Sequence, residues 1–285
     1  MPQRTLLDSV APLPSEWTAN RFRWSVVAVF IVAVGLRAPR LIVRWDEWSL
    51  HYAAYNQPTL ERLLTGSYYE ALVGWVGLHP PLYPLMHSLL SLIWPTPLAW
   101  MLLSILASIG AIAFMVQAEK KTLLPAFLLA TDPVQIHYAA EVNNYPLAVL
   151  ALSYSWWAFR TQRTGHLAAA VALASWTHVL AGGVAFCIAA WHPKRFKVFG
   201  VALIAIIPVI FSAFDIGFDP SNRRQPPLHL EASITDAVDR FSISWVVCLP
   251  LLLLAFSRAK EAATTWSVTL FLWFSLVLFG IAAPH

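Results

Sequence analysis

A chain of 285 residues in which 58% are hydrophobic and only 12% charged, with a mean hydropathy of +0.61, departs from the usage of ordinary soluble domains. Its formal net charge of +4 is too slight to mark a nucleic-acid binder, and basic residues flanking apolar runs account for it. Composition therefore predicts an integral membrane protein with no nucleic-acid partner.

Runs without charge extend from Leu98 to Ala118, Leu167 to Trp191, Val198 to Phe214, Phe241 to Phe256 and Thr264 to Ala283. Many approach the roughly 20 residues that cross a bilayer. They are apolar on every face rather than alternating, which predicts an all-α, polytopic membrane bundle of about eight or nine helices and argues against a barrel. Trp17, Trp24, Trp45, Trp48, Trp94, Trp191 and Trp245 fall near run ends, as an interfacial aromatic belt requires. Cys187 and Cys248 both lie inside apolar runs, so no disulfide framework is expected. No internal repeat is visible, and residues 1–285 read as one membrane domain.

In chain order, residues 1–23 are polar and contain proline, and Arg21 and Arg23 precede the apolar run from Trp24 to Leu36. An uncleaved signal-anchor with a cytoplasmic N-terminal segment is expected; a cleavable signal peptide would need a small-residue cleavage site before Arg37, and none stands out. The next stretch, 37–79, then forms an exterior loop, too long for a simple connection. It carries Arg44, Trp45-Asp46-Glu47-Trp48, His51, Tyr52, Tyr55, Glu61, Tyr68, Tyr69 and Glu70 among apolar residues, the pattern of amphipathic helices lying on a membrane surface. On a helix the adjacent side chains of Asp46 and Glu47 diverge by about 100°. A division of labour follows, one acting as general base and the other holding a backbone group, an arginine or a metal; two solvated loop acids are the plainer alternative.

In His79-Pro80-Pro81-Leu82-Tyr83 the prolines end any preceding helix, so a new helix starts at Leu82 with His79 at its mouth. Basic residues in short loops mark Lys120, Lys121, Arg160, Arg163, Lys194 to Lys197, Arg258 and Lys260 as cytoplasmic. An odd number of crossings must separate Asp46 from Lys120, so Pro80 to Trp94, about 22 Å of helix, is expected to be partial or re-entrant. The stretch Asp132 to Asn144 is expected outside, with Glu141 at the membrane edge, where a carboxylate must be hydrated, paired or metal-bound. Leu167 to Trp191 is expected to break at Thr177-His178 or at Gly182-Gly183 into two short arms. Residues 215–240, with Arg223 and Arg224, form a second long exterior loop. Asp46, Glu47, His79, His137 and Glu141 together supply donors suited to a divalent cation such as Mg or Mn.

An N-terminal span, the Asp46-Glu47 pair, His79-Pro80-Pro81-Leu82-Tyr83, the Tyr138-x-x-Glu141-x-x-x-Tyr145 segment and Trp176-Thr177-His178 follow in order across roughly residues 24–190. This order resembles the GT-C superfamily of membrane glycosyltransferases, and within it the bacterial branch of protein mannosyltransferases and the lipid A aminoarabinose transferase. The resemblance implies inverting transfer of a sugar from a polyprenyl-phosphate carrier to an acceptor hydroxyl, on the periplasmic face of a bacterial inner membrane. It implies Asp46 as general base, with Glu47 beside it, and Glu47, His79 and Glu141 holding the carrier phosphate or a divalent cation. Tyr83, Tyr145 and His178 would join the substrate site. Where the family commonly has Gln-Glu-Ala-Arg-Met-Tyr, this chain has Ala140-Glu141-Val142-Asn143-Asn144-Tyr145, so Arg44, Arg223 or Arg224 would have to replace the arginine. Family members usually continue through further spans, so a minimal or truncated member is expected. Two other functions fit the same features: a non-catalytic scaffold subunit in a membrane-protein complex, and a carrier-lipid transporter, which would favour ionisable groups deep in the spans.

Overall fold

The computed structural model describes residues 16–43, 56–74, 80–119 and 122–217. Among them the chain is all helical, in the order α1 (Glu16–Val43), α2 (Gln57–Leu64), α3 (Tyr68–Val73), α4 (Leu82–Ile93), α5 (Pro97–Ala118), α6 (Leu124–Thr131), α7 (Pro133–Ala139), α8 (Tyr145–Arg160), α9 (Thr164–Thr177), α10 (Val179–Ala190) and α11 (Arg195–Gly217). Proline opens several of them: Pro58, Pro97, Pro125, Pro133 and Pro146 stand in first turns, where the missing N–H would have had no partner in any case.

Two stretches, Asn20–Pro39 in α1 and Met101–Ala118 in α5, are long and apolar enough to cross a bilayer. On α1 the apolar side chains Trp24, Ile31 and Val34 face outward and are exposed. Outward-facing apolar side chains of this size mark a face that contacts lipid or another apolar surface. The full expected count of eight or nine spans includes runs beyond residue 217, which lie outside the described residues.

The helix pair at the centre is α5 with α8. Gly110 gives the Leu150 side chain room to approach, and Phe114 packs on Tyr154 and Trp157 with ring centroids 4.8 and 5.5 Å apart. On one flank of α5 lie α1 and α6, sharing Val29, Ala33, Ile112, Ala126 and Ala130. On the outer side of α8, α9 and α10 pack through Ala151, Ala158, Leu167, Val171, Ala185 and Ile188, and α11 closes on α9. Helices α2, α3 and α4 pack on one another, and α4 reaches α5 and α9.

The long apolar run 167–191 breaks at His178, whose extended backbone (φ −159°, ψ 130°) separates α9 from α10. The other expected break point, Gly182-Gly183, stays helical, because Gly182 serves packing instead. A methyl group there would sit 2.7 Å from Ser175 Oγ and 2.9 Å from its Cα. Helix α10 ends where α9 began, since His192 lies 6.4 Å from the Phe159 ring and against the Gln162 carbonyl. The arms of 14 and 12 residues therefore form an antiparallel hairpin, about 21 and 18 Å long, each short of the roughly 30 Å hydrocarbon layer. Helix α4, with 12 residues and about 18 Å of length, is likewise shorter than that layer.

Candidate functional site

The second interrupted region lies between α6 and α7. Asp132 stops α6 and caps α7, its carboxylate accepting from the Val134 N–H at 3.0 Å. A carboxylate at this position satisfies an orphan donor of the first turn. Helix α7 then carries Gln135, His137 and Tyr138. His137 Nε2 meets Glu141 Oε1 at 3.1 Å, one turn on, and the Glu141 carboxylate is almost wholly buried. The expected exterior stretch 132–144 is thus mostly a packed helix and turn, with Glu141, Val142 and Asn144 buried.

Asn143 and Asn144 join this turn to the rest of the bundle. Asn143 Oδ1 accepts from the Tyr145 N–H at 3.1 Å, which opens α8. Asn144 Nδ2 donates to the Thr177 carbonyl at 3.1 Å, the last residue before the break at His178. His178 Nδ1 accepts from the Leu180 N–H at 3.2 Å and so caps α10. An accepting Nδ1 assigns the ring hydrogen of the neutral imidazole to Nε2.

These clips bring α7, α8 and α10 around an open cavity of about 250 Å³, lined by Gln135, Tyr138 and Tyr145 on one side and His178, Leu180 and Val184 on the other. A file of rings leads to it from the Glu141 ion pair. His137 lies 5.1 Å from Tyr138, Tyr138 lies 4.7 Å from Tyr145, and Tyr145 lies 5.6 Å from His178, measured between centroids. Gln135 Oε1 is buried with no hydrogen-bond partner. The lining is mostly apolar, with Gln135, Tyr138, Tyr145 and His178 as polar members.

Of the residues singled out in the sequence, Tyr145 and His178 line this cavity, and Glu141 stands one ring behind it. Tyr83 does not join them. It is buried in a cluster with Met101, Ala140, Val142 and Leu147, and its hydroxyl lies 3.0 Å from Ser104 Oγ, which donates to the Asn143 carbonyl at 3.3 Å. Tyr83 therefore braces the turn that carries Glu141. Arg44, Asp46, Glu47, His79, Arg223 and Arg224 lie outside the described residues. Among the described residues no three His, Cys, Asp or Glu side chains gather as a metal site; Glu47 and His79, the other expected cation ligands, are not among them.

Sequence reasoning passed over two features. Gln135 lines the cavity beside Tyr138 of the quoted motif, and their helical spacing of three on a segment opened by an Asp-Pro cap was the available signal. The other is Arg37, assigned to the start of a loop but 1% exposed inside the bundle. Its Nε donates to Ser108 Oγ at 3.0 Å, and its Nη atoms donate to the carbonyls of Ala33 (3.0 Å), Ala130 (2.9 Å) and Leu129 (3.3 Å). A cation bound to the last carbonyls of α6 suits the negative end of that helix.

Set against protein families, curated proteins and solved structures, the chain matches none of them.

Proposed function

We propose that the chain is a membrane glycosyltransferase of GT-C type, moving a sugar from a polyprenyl-phosphate carrier to an acceptor hydroxyl. The observation that carries this reading is the meeting of two sequence elements more than thirty residues apart, Tyr138 to Tyr145 and Thr177-His178, at one cavity between short helices. Both belong to the motif order on which the resemblance rests.

In the proposed reaction Asp46 takes the proton of the acceptor hydroxyl as its oxygen attacks the anomeric carbon. The bond from that carbon to the carrier phosphate oxygen breaks, and the phosphate leaves with the electron pair on the opposite face, inverting the configuration. Developing charge on the phosphate needs fixed donors; His178 Nε2–H, with Arg44, Arg223 or Arg224, would serve. Glu141, oriented by His137, would position the carrier group. A divalent cation held by Glu47, His79 and Glu141 belongs to the same proposal, and no step is assigned to it. The active face would be the periplasmic side of a bacterial inner membrane.

The test is a transfer assay in membranes with radiolabelled polyprenyl-phosphate sugars, comparing wild type, Asp46→Asn and Glu141→Gln. The expected result is a loss of transfer on the order of a hundredfold or more for Asp46→Asn, the range of a lost general base, with a smaller loss for Glu141→Gln. Undiminished transfer by Asp46→Asn, or none by wild type across the donor series, would overturn the reading.

A further inference from the structure

The end of the bundle opposite the cavity carries cations mounted on aromatic rings. Arg163 lies 4.9 Å from the Trp157 ring centroid and Arg160 5.9 Å from that of Trp156. Arg195 lies 5.2 Å from the Phe196 centroid. Residues from three helices meet here. The Tyr154 hydroxyl at the end of α8 lies 2.7 Å from His166 Nδ1 on α9, and His192, after α10, accepts from the Lys194 N–H at 3.1 Å while packing on Phe159. The tight turn between α8 and α9 relies on Gln162 in the left-handed region (φ 57°), and it brings the Gln162 backbone against His192.

One carboxylate is recorded in this cluster among the described residues, and it is committed. Glu119 meets Arg160 at 3.4 Å and accepts from Trp156 Nε1 at 2.8 Å. Arg163, Lys194, Arg195 and Lys197 are exposed, and among the described residues no ion pair joins them to a carboxylate. Beside them Trp191 and Phe196 expose much of their apolar surface. Exposed cations set among outward-facing aromatic side chains at the end of apolar helices match the chemistry of a headgroup layer: phosphate above and acyl chain below. A nucleic acid would leave Trp191 and Phe196 in water.

We propose that Arg163, Lys194 and Lys197, with Trp191 and Phe196, form a docking surface for an anionic phospholipid of the phosphatidylglycerol type. This rests on the membrane reading and not on transfer activity. The detergent-solubilised full chain is titrated with phosphatidylglycerol or phosphatidylcholine in mixed micelles, following the thermal unfolding midpoint. Phosphatidylglycerol is expected to raise the midpoint at concentrations where phosphatidylcholine does not, with an effect that fades in high salt. The Arg163→Gln/Lys194→Gln/Lys197→Gln variant should keep the lipid-free midpoint, these side chains being exposed, and weaken the apparent affinity for phosphatidylglycerol roughly ten- to a hundredfold. Charge-retaining Arg163→Lys/Lys194→Arg/Lys197→Arg should restore it. Equal response to the two lipids, full selectivity in the glutamine variant, or the same shift from inorganic phosphate would overturn the proposal. A chain that stays in the aqueous phase without detergent would overturn the membrane reading as well, so the two failures are distinguishable.

Discussion

Replacing Arg37 by methionine tests whether the described bundle is held from within by one cation. The substitution keeps most of the side-chain volume but removes every donor. The carbonyl of Ala33 keeps its place in α1, whereas those of Leu129 and Ala130, at the free end of α6, lose the guanidinium that serves them at 3.3 and 2.9 Å. Each buried polar group left unmet costs about 1–3 kcal/mol, or about 2–6 kcal/mol for the two. Relief from burying a charge offsets part of this, leaving about 3 kcal/mol. At about 3 °C per kcal/mol for a chain of this size, the unfolding midpoint in detergent, followed by size-exclusion recovery after heating, should fall by about 10 °C. Arg37→Lys should lose about half as much, since an ammonium cannot reach Ser108 and the α6 carbonyls with the same fixed fork. A double-mutant cycle with Ser108→Ala should return a coupling of about 1 kcal/mol through the 3.0 Å bond. A midpoint for Arg37→Met within about 2 °C of wild type, or a Ser108→Ala effect unchanged in its background, would refute the reasoning.

Three further substitutions probe packing elsewhere. Gly182→Ala places a methyl group 2.9 Å from the Ser175 backbone and should destabilise by about 1–3 kcal/mol, whereas Gly165→Ala, with nothing within 4 Å, should be neutral or slightly stabilising; equal effects in thermal unfolding would show that the α9–α10 hairpin does not depend on that contact. Asn56 and Thr59 are both 0% exposed, and neither the Asn56 carboxamide nor the Thr59 hydroxyl has a hydrogen-bond partner. Thr59→Val should therefore hold or raise the unfolding midpoint, because it removes an unmet polar group at nearly constant shape; a loss above about 1 kcal/mol would mean that the hydroxyl is bonded.

The helix start at Leu82 was legible because proline acts locally: Pro80 and Pro81 end any preceding helix whatever packs around them. The break at Thr177-His178 was legible for a related reason, since an imidazole beside a threonine can cap a helix start from within an apolar run. Arg37 was not. An arginine at the end of such a run ordinarily marks the membrane edge, and its place inside the bundle depends on the carbonyls of α6, 92 and 93 residues away. Tyr83 shows the same dependence, since its hydroxyl meets Ser104 Oγ, 21 residues on. Local chemistry sets where helices begin, and contacts distant in sequence decide what a polar side chain serves.

That distinction bears on the cavity. Buried backbone at a helix interruption persists only where its polar groups find partners. Here each interruption is met by a side chain from far along the chain, Arg37 at the end of α6 and Asn144 at Thr177. The helices that follow the two breaks, α7 and α10, both line the cavity. A continuous helix through either break would carry Gln135 and Tyr138, or His178, away along its own axis. Their convergence therefore depends on keeping both interruptions. Arg37 and Asn144, which line no wall themselves, thus shape the site through the backbone they hold.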